Sequence, residues 1–482
     1  MKQIMSDWWR RESGGREVLC VALPLVISTS SWTLMYFIDR MFLLWYHPDA
    51  LAAALPASLL NFSFMAFFWG VASYVNTFVA QYHGARRPER IGLAVWQGAL
   101  IGVVAMPWFL MMIPLAPRIF AAVGHVTHVQ QFETTYFSIL CYGSTGMVIS
   151  AALASFYTGR GKVWTVVLVD SGMAAVNIVF DYLWIFGHAG FESAGIAGAG
   201  WATVCAFWFR AAMYLFLMLR PATRREYQTL AGCRFDLSLF TRLLRYGAPS
   251  GLQFLLETSA FTAFLLLVGR LGALELTATN LAFNVNSLAF MPMMGLGIAA
   301  TTLVGQRLGE NRPEMAARST WTIFTFAAVY MSTMAVVYVT VPQVVLFAYG
   351  TNADPVQFQK IREITALLMR FLAAFALFDA MNVIFSNAIK GAGDTKFVLW
   401  TTVITAPLPI VPTWLGIEYL GLGLFWSWTA VTAWVCALGS VFFARFWQGK
   451  WRTMRVIEST AYLADVQELP IEPIPAVTGE TS

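Results

Sequence analysis

Charge is what this sequence has least of: Asp, Glu, Lys and Arg make up 12% of its 482 residues, against ~25% in a soluble chain. A water-facing surface for a chain of this length is excluded. Cysteine is sparse as well. Cys20, Cys141, Cys205, Cys233 and Cys436 are scattered, odd in number, and form no CxxC. That pattern excludes a disulfide framework or a thiolate zinc site, and free thiols packing as small apolar residues are expected. The five histidines (47, 83, 125, 128 and 188) lie in or near loops with no HExxH pair. "GRGK" at 159–162 lacks the glycine spacing of a phosphate loop, and no Gly-x-Ser-x-Gly elbow occurs. The chain is therefore not expected to be an enzyme or to hold a resident cofactor.

What fills the sequence instead is apolar. Hydrophobic residues reach 58% and the mean hydropathy is +0.63. They are gathered in repeated runs of ~20 residues or more, long enough to cross a bilayer as helices. The spacing predicts twelve spans, near 17–46, 50–82, 91–115, 129–158, 163–187, 195–219, 240–269, 275–306, 315–349, 358–389, 396–416 and 420–446. The first run is one of many and is read as a span, not a cleaved signal peptide. The fold class is an all-α polytopic membrane protein, with the lipid bilayer as its first partner.

Lys and Arg are placed unevenly between the spans. About 24 of the 31 fall at the N-terminus, in the loops after even-numbered spans and at the C-terminus. The opposite loops hold Arg118, Arg270, Lys360, Arg362 and Arg370, while Arg40 and Arg210 lie within spans. The positive-inside rule then puts both termini in the cytoplasm. The net charge of +5 is thus a topology signal, and no nucleic-acid partner is expected.

An internal repeat sets the domain organisation. "VAQYHGARRPERIG" (79–92) matches "VGQRLGENRPEMAA" (304–317), pairing Gln81 with Gln306, Gly84 with Gly309, Arg87 with Arg312 and Pro88 with Pro313. The same offset pairs Pro24 with Pro249, Asn61 with Asn286 and Gly70 with Gly295. "TGRGK" (158–162) resembles "KGAGD" (390–394) at a slightly larger offset. Six spans per half is an even number, so the halves enter the membrane in the same sense, as parallel repeats do in secondary transporters. The expected division is an N-lobe at 1–220, a basic linker at 221–238, a C-lobe at 239–450 and a tail at 451–482. Twelve helices in two pseudo-symmetric six-helix lobes would enclose a central cavity. The tail ("VQELPIEPIPAVTGETS") is acidic and Pro-rich and is expected to be disordered.

Four carboxylates sit deep inside spans: Asp39, Asp181, Glu257 and Asp379. A charge at the centre of a membrane helix costs roughly 2.5–3.5 kcal/mol on insertion scales and marks a functional site by default. Each has polar company at helical spacing. Ser28, Ser31 and Asp39 share a stripe, as do Asp170, Asn177 and Asp181. Gln253 lies one turn from Glu257, Asn280, Asn284 and Ser287 line the eighth span, and Asp379, Asn382 and Ser386 line the tenth. Such oxygen-rich stripes suit a proton taken up near neutral pH or a hard cation such as Na⁺, and the residue types do not choose between them. Gln253, Asn280, Asn284, Asn382 and Ser386 are candidates for the cavity wall. Pro24 frees a backbone carbonyl inside the first span and permits a kink there.

These segments resemble the MATE (multidrug and toxic compound extrusion) family in its bacterial NorM/DinF-like branches. The resemblance covers about residues 15–450 and rests on the Pro24–Asp39 span, the two "GQ/AQ…RPE" loops, and "NIVFDYLWIFG" leading into "AGIAGAGWAT". The Glu257 span and "NAIKGAGDTK" after Asp379 complete it. It implies two six-helix lobes around a V-shaped cavity and a secondary antiporter that exports cationic or amphipathic organic compounds in exchange for Na⁺ or H⁺. By position, Asp39, Asn177, Asp181 and Thr203 resemble the family's N-lobe cation site, and Glu257 and Asp379 its C-lobe acidic pair. Pro24 resembles the first-span proline that bends as the N-lobe site changes state. A Na⁺ at either group, the cytoplasmic membrane and a monomer are the matching expectations. The family usually has small residues after the first-span acid, whereas this chain reads "DRMFLLWYHPD", with Arg40 beside Asp39. The alternative is a lipid-linked oligosaccharide flippase of the same superfamily, for which a cationic cavity is expected.

Overall fold

The computed structural model describes residues 7–123, 126–347 and 355–458, and the described residues form helices and no strand. Twelve helices are long and apolar enough to cross a membrane. In chain order they are α1 (Gly15–Tyr46), α2 (Pro48–Gly84), α3 (Pro88–Met112), α4 (Thr127–Thr158), α5 (Val163–Phe186) and α6 (Gly195–Met218). The second half contains α7 (Leu237–Gly269), α8 (Ala273–Gly309), α9 (Pro313–Thr340), α10 (Pro355–Ala392), α11 (Thr395–Glu418) and α12 (Leu424–Gln448). Their ends follow from local chemistry. Pro48, Pro88 and Pro313 each open a helix, where the missing N–H has no partner to lose. The Asp236 carboxylate accepts from the Leu239 N–H at 3.0 Å and caps α7. The ninth span is shorter than the expected 315–349, because α9 stops at Thr340 and Pro342 starts a separate short helix, Pro342–Phe347.

The repeat is realised as a symmetric seam between the halves, on the face that carries the loops after even-numbered spans, here the basic face. Gln81 Nε2 donates to the Gly391 carbonyl at 2.9 Å, and its repeat partner Gln306 Nε2 donates to the Gly159 carbonyl at 2.8 Å. The ends of α2 and α8 touch backbone to backbone. A Cβ on Gly84 would stand 2.0 Å from the Gln306 carbonyl oxygen, and one on Gly309 would stand 2.2 Å from that of Gln81. Only hydrogen fits at either position. Tyr74 Oη to the Lys390 carbonyl (2.8 Å) and Asn76 Nδ2 to Thr302 Oγ1 (3.0 Å) extend the seam inward.

The packing boundary is not the covalent one. The first turns of α1 (Val18, Ala22, Leu25) pack with Met293, Leu296, Ile323 and Ile384 of the second half. Leu239 and Leu243 of α7 pack reciprocally into the core of the first half. The N- and C-terminal segments are crossed in the same way. Glu12 and Glu17 grip Arg307 and Arg312 of the second half. The segment after α12 returns to the first half, where its Glu458 meets Arg90 (2.9 Å) and Arg242 of α7 (2.5 Å).

That segment corrects the expectation of a tail disordered from residue 451. Trp451 is fully buried and stacks on Phe446 at 4.9 Å. Val456 is 1% exposed, and its N–H donates to Gln81 Oε1 at 2.8 Å. Tyr82 Oη donates to Glu458 at 2.9 Å. Apolar anchors and a buried carboxylate, absent from the Pro-rich stretch that suggested disorder, hold residues 451–458. The rest of the expected tail, 459–482, lies outside the described residues.

Candidate functional site

Two groups of acids form inside the bundle, one in each half. In the first half, α1 supplies Asp39, α5 supplies Asn177 and Asp181, and α6 supplies Thr203. All four are buried, Asp181 completely. The Asp39 and Asp181 carboxyls stand against one another at hydrogen-bonding range. Asn177 Nδ2 donates to Thr203 Oγ1 at 3.4 Å. Four oxygens are then left buried with no donor: Asp39 Oδ1, Asn177 Oδ1 and both oxygens of Asp181. Two facing carboxylates repel one another and donate nothing, so a proton or a cation between them would relieve the repulsion. Tyr136 of α4, hydrogen-bonded to Ser58, lies within electrostatic reach of both acids. Arg40, a step of ~100° along the helix from Asp39, is exposed, and its charge lies within electrostatic reach of that acid.

In the second half, Glu257 Oε1 accepts from Gln253 Nε2 at 2.8 Å and from Thr402 Oγ1 of α11 at 3.4 Å. Lys390 Nζ reaches Gln253 Oε1 at 3.4 Å, so a chain runs from ammonium through amide to carboxylate. Asp379 lies within electrostatic reach of Glu257 and is hydrogen-bonded by Asn382. Tyr338 of α9, whose buried hydroxyl has no partner, also lies near Asp379. Ser386 donates to the Val383 carbonyl of its own helix. Its hydroxyl is used there and does not serve the acids.

Asn280, Asn284 and Ser287 lie apart from both groups on an exposed stripe of α8. Met291 continues that stripe at helical spacing, and its carbonyl accepts from Thr29 Oγ1 of α1 at 3.0 Å. The stripe is thus the prolongation of the seam-facing side of α8. On one side of Met291 the helix touches α1, where Gly295 meets the Val26 backbone, and on the other side the stripe is exposed. Pro24 is buried within α1 on the closed side of this point.

Helical spacing paired Asn177 with Asp181, Gln253 with Glu257 and Asp379 with Asn382, and the family resemblance joined these to Asp39 and Thr203 in one group and set Glu257 with Asp379 in the other; the structure places them so. Helical spacing also placed Asp170 on the stripe of Asp181, where the structure keeps it, buried like Asp181 but with a different partner. Asp170 is neutralised by Arg210 of α6 at 2.7 Å, so it belongs to a separate ion pair. Lys390, Thr402, Tyr136 and Tyr338 were missed. Lys390 alone left a signal, a cation directly before the glycine segment of its half.

The comparisons agree with this architecture. The family model described as MatE matches residues 24–183 and 249–415, one block in each half. The chain is 27% identical over 440 residues to the multidrug resistance protein NorM of Burkholderia vietnamiensis, covering 91% of this chain and 94% of the relative. It is 29% identical over 378 residues to a probable multidrug resistance protein NorM of Burkholderia mallei, covering 78% and 80%. In structure it is similar to a multidrug resistance MATE family transporter of the MOP superfamily in an outward-facing conformation, with a TM-score of 0.83 over 93% of this chain and 98% of that one at 18% identity. The eukaryotic MATE transporter AtDTX14 gives a TM-score of 0.80 over 91% and 96%, also at 18% identity. Matched in both halves by the family model, the chain belongs to the MATE family.

Proposed function

We propose that this protein is a secondary active multidrug efflux antiporter that exports cationic or amphipathic organic compounds in exchange for Na⁺ or H⁺. The observation that carries the proposal is the Asp39–Asp181 pair, which together with Asn177 presents four buried acceptor oxygens with no donor among the described protein groups. A proton or Na⁺, here a transported ion and not a resident metal, completes that group. Its loading has a physical reason to change the shape of the lobe, since it turns repulsion between α1 and α5 into attraction. A ligand shifts two states only by its differential affinity for them, and a pair that repels when empty and attracts when loaded has that property.

The second group differs in carrying a fixed cation. Lys390 lies within electrostatic reach of Glu257 and is hydrogen-bonded into its group through Gln253, whereas the cation within reach of Asp39, Arg40, is exposed and therefore screened by solvent. This contrast favours the first half for ion loading and leaves net negative charge in the second for an organic cation. The exposed stripe of Asn280, Asn284 and Ser287 is read as a cavity wall that suits a cargo of mixed polarity. In this reading the basic face lies in the cytoplasm of a multi-pass inner-membrane protein, both termini are cytoplasmic, and the seam closes that side. The flippase alternative is not favoured: the unneutralised buried charges are acidic, whereas a pyrophosphate calls for cationic ones.

Ethidium efflux from proteoliposomes tests the assignment, with Na⁺ and pH gradients imposed separately. Asp39→Asn and Asp181→Asn are expected to remove the response to the driving gradient. Glu257→Gln and Asp379→Asn are expected to fold and to stop efflux. Full efflux in both of the latter variants would take the second group out of the mechanism.

A further inference from the structure

The same two helices that present Asp39 and Asp181 meet at a second level. Ser28 Oγ of α1 donates to Asp170 Oδ2 of α5 at 2.5 Å. Ser28 and Asp170 differ by 142 in number (170 − 28), as do Asp39 and Asp181 (181 − 39). The two levels are 11 residues apart on each helix (39 − 28 and 181 − 170), about three turns or ~16 Å. The parallel helices α1 and α5 thus keep one register from the first level to the second. Fixing either level fixes the other.

The first level is chemically complete. Asp170 Oδ1 accepts from Arg210 Nε at 2.7 Å and Tyr214 Oη at 3.0 Å, while Oδ2 accepts from Ser28 and from Trp32 Nε1 at 3.2 Å. Arg210 also donates to Ser150 Oγ at 2.8 Å, and its guanidinium carbon stands 4.9 Å from the centre of the Trp32 ring. Asp170 is 2% exposed and Arg210 6%. A buried ion pair recovers its desolvation cost only with good geometry and its remaining hydrogen bonds satisfied. Here α1, α4, α5 and α6 together supply those bonds. With its charge cancelled and its oxygens occupied, Asp170 has no capacity left for a transported ion.

We propose that the Asp170–Arg210 pair is a positioning device for the Asp39–Asp181 pair. Through Ser28 and Trp32, one turn apart on α1, it fixes the rotation and height of α1 against α5, and so sets the geometry with which the two acids grip an ion. The proposal rests on the reading of Asp39 and Asp181 as the ion-loading pair.

The test removes the grip on α1 and leaves the buried ion pair whole. In the double variant Ser28→Ala with Trp32→Phe, Asp170 keeps Arg210 and Tyr214, and an aromatic ring remains under the guanidinium, so the protein folds. The readout is ethidium efflux in proteoliposomes as a function of the driving ion's concentration. The expected result is a rise of about tenfold in the half-saturating ion concentration, the scale of losing hydrogen bonds to a charged group. The ethidium KM and the melting temperature stay near the parent values. Restoring the hydroxyl alone, as Ser28→Thr with Trp32→Phe, recovers part of the loss. An unchanged ion dependence in the double variant, or an equal rise in ethidium KM, would overturn the proposal. Asp39→Asn serves as the control. If it uncouples efflux while the double variant keeps the parent ion dependence, the positioning role fails and the ion-pair reading stands. If Asp39→Asn remains fully coupled, both fall.

Discussion

Neutralising Glu458 isolates the contribution of the segment after α12 to the closed basic face. Burial pushes this carboxyl up, but the Glu458 backbone N–H, the charge and hydrogen bond of Arg242, and the Arg90 side chain outweigh it and hold it at about 2 instead of 4.5. A difference of about 2.5 units at 1.36 kcal/mol each is a ceiling of about 3.4 kcal/mol. The Glu458 side chain is 4% exposed, but Arg90 and Arg242 are about a quarter exposed, and solvent screening lowers the contribution to about 2 kcal/mol. Glu458→Gln removes that contribution. The fraction of molecules with the segment detached should rise about 30-fold, at 1.4 kcal/mol per factor of ten.

Hydrogen exchange read by mass spectrometry on the 450–458 peptide measures this directly, because the Val456 N–H is protected by Gln81 Oε1. The sign with pH follows from linkage. A carboxyl depressed in the folded state contributes its stability above the unfolded value of 4.5 and loses it as pH falls from there toward 2. The parent segment should therefore loosen over that window, and Glu458→Gln should show no such loosening. Equal protection of the peptide in parent and variant at neutral pH would refute the assignment of Glu458 as the latch.

Two further outcomes follow from packing and from unpartnered oxygens. Gly84→Ala and Gly309→Ala each place a Cβ against a carbonyl oxygen of the opposite half, so the seam must open. Each should cost about 1–3 kcal/mol and raise the reactivity of a cysteine placed at Ala80, which is buried in the parent, toward a thiol reagent. Asp39→Asn supplies a donor to the empty oxygens of Asp181. It should stabilise the ion-free protein by about 1–3 kcal/mol, read as a higher melting temperature, as activity is lost, and a lower melting temperature would argue against the facing-acid geometry.

Much of the fold was legible because membrane helices announce themselves by length and apolarity. The repeat was legible because close backbone contact leaves a mark. Gly84 and Gly309 match in sequence, and each meets a carbonyl of the opposite half. Gln81 and Gln306 match because each closes the seam on a backbone carbonyl of the opposite half. The crossing of the terminal segments left no such mark. Nothing in the one-dimensional pattern ties Glu458 to Arg90 across more than 360 residues, and a Pro-rich tail concealed the eight ordered residues before it.

The acids separate along the same line. Position inside apolar runs found the inner acids of α1, α5, α7 and α10, and helical spacing gave each its polar company, because both are local properties. It could not say which acids were already satisfied, because neutralisation depends on helices distant in the chain. Asp170 and Asp181 share a helix, a stripe and near-complete burial, and only their neighbours distinguish them. One faces Arg210, Tyr214, Ser28 and Trp32 and is closed to any ion. The other faces a second carboxylate, and its two oxygens have no donor. Burial therefore does not tell the two acids apart in this bundle; the presence or absence of donors does, and the proposed ion site rests on that difference. By that criterion Asp181 and Asp39 come first, Glu257 and Asp379, which have Gln253, Thr402 and Asn382 as donors, come after them, and Asp170 drops out as part of the scaffold that sets the first pair in place.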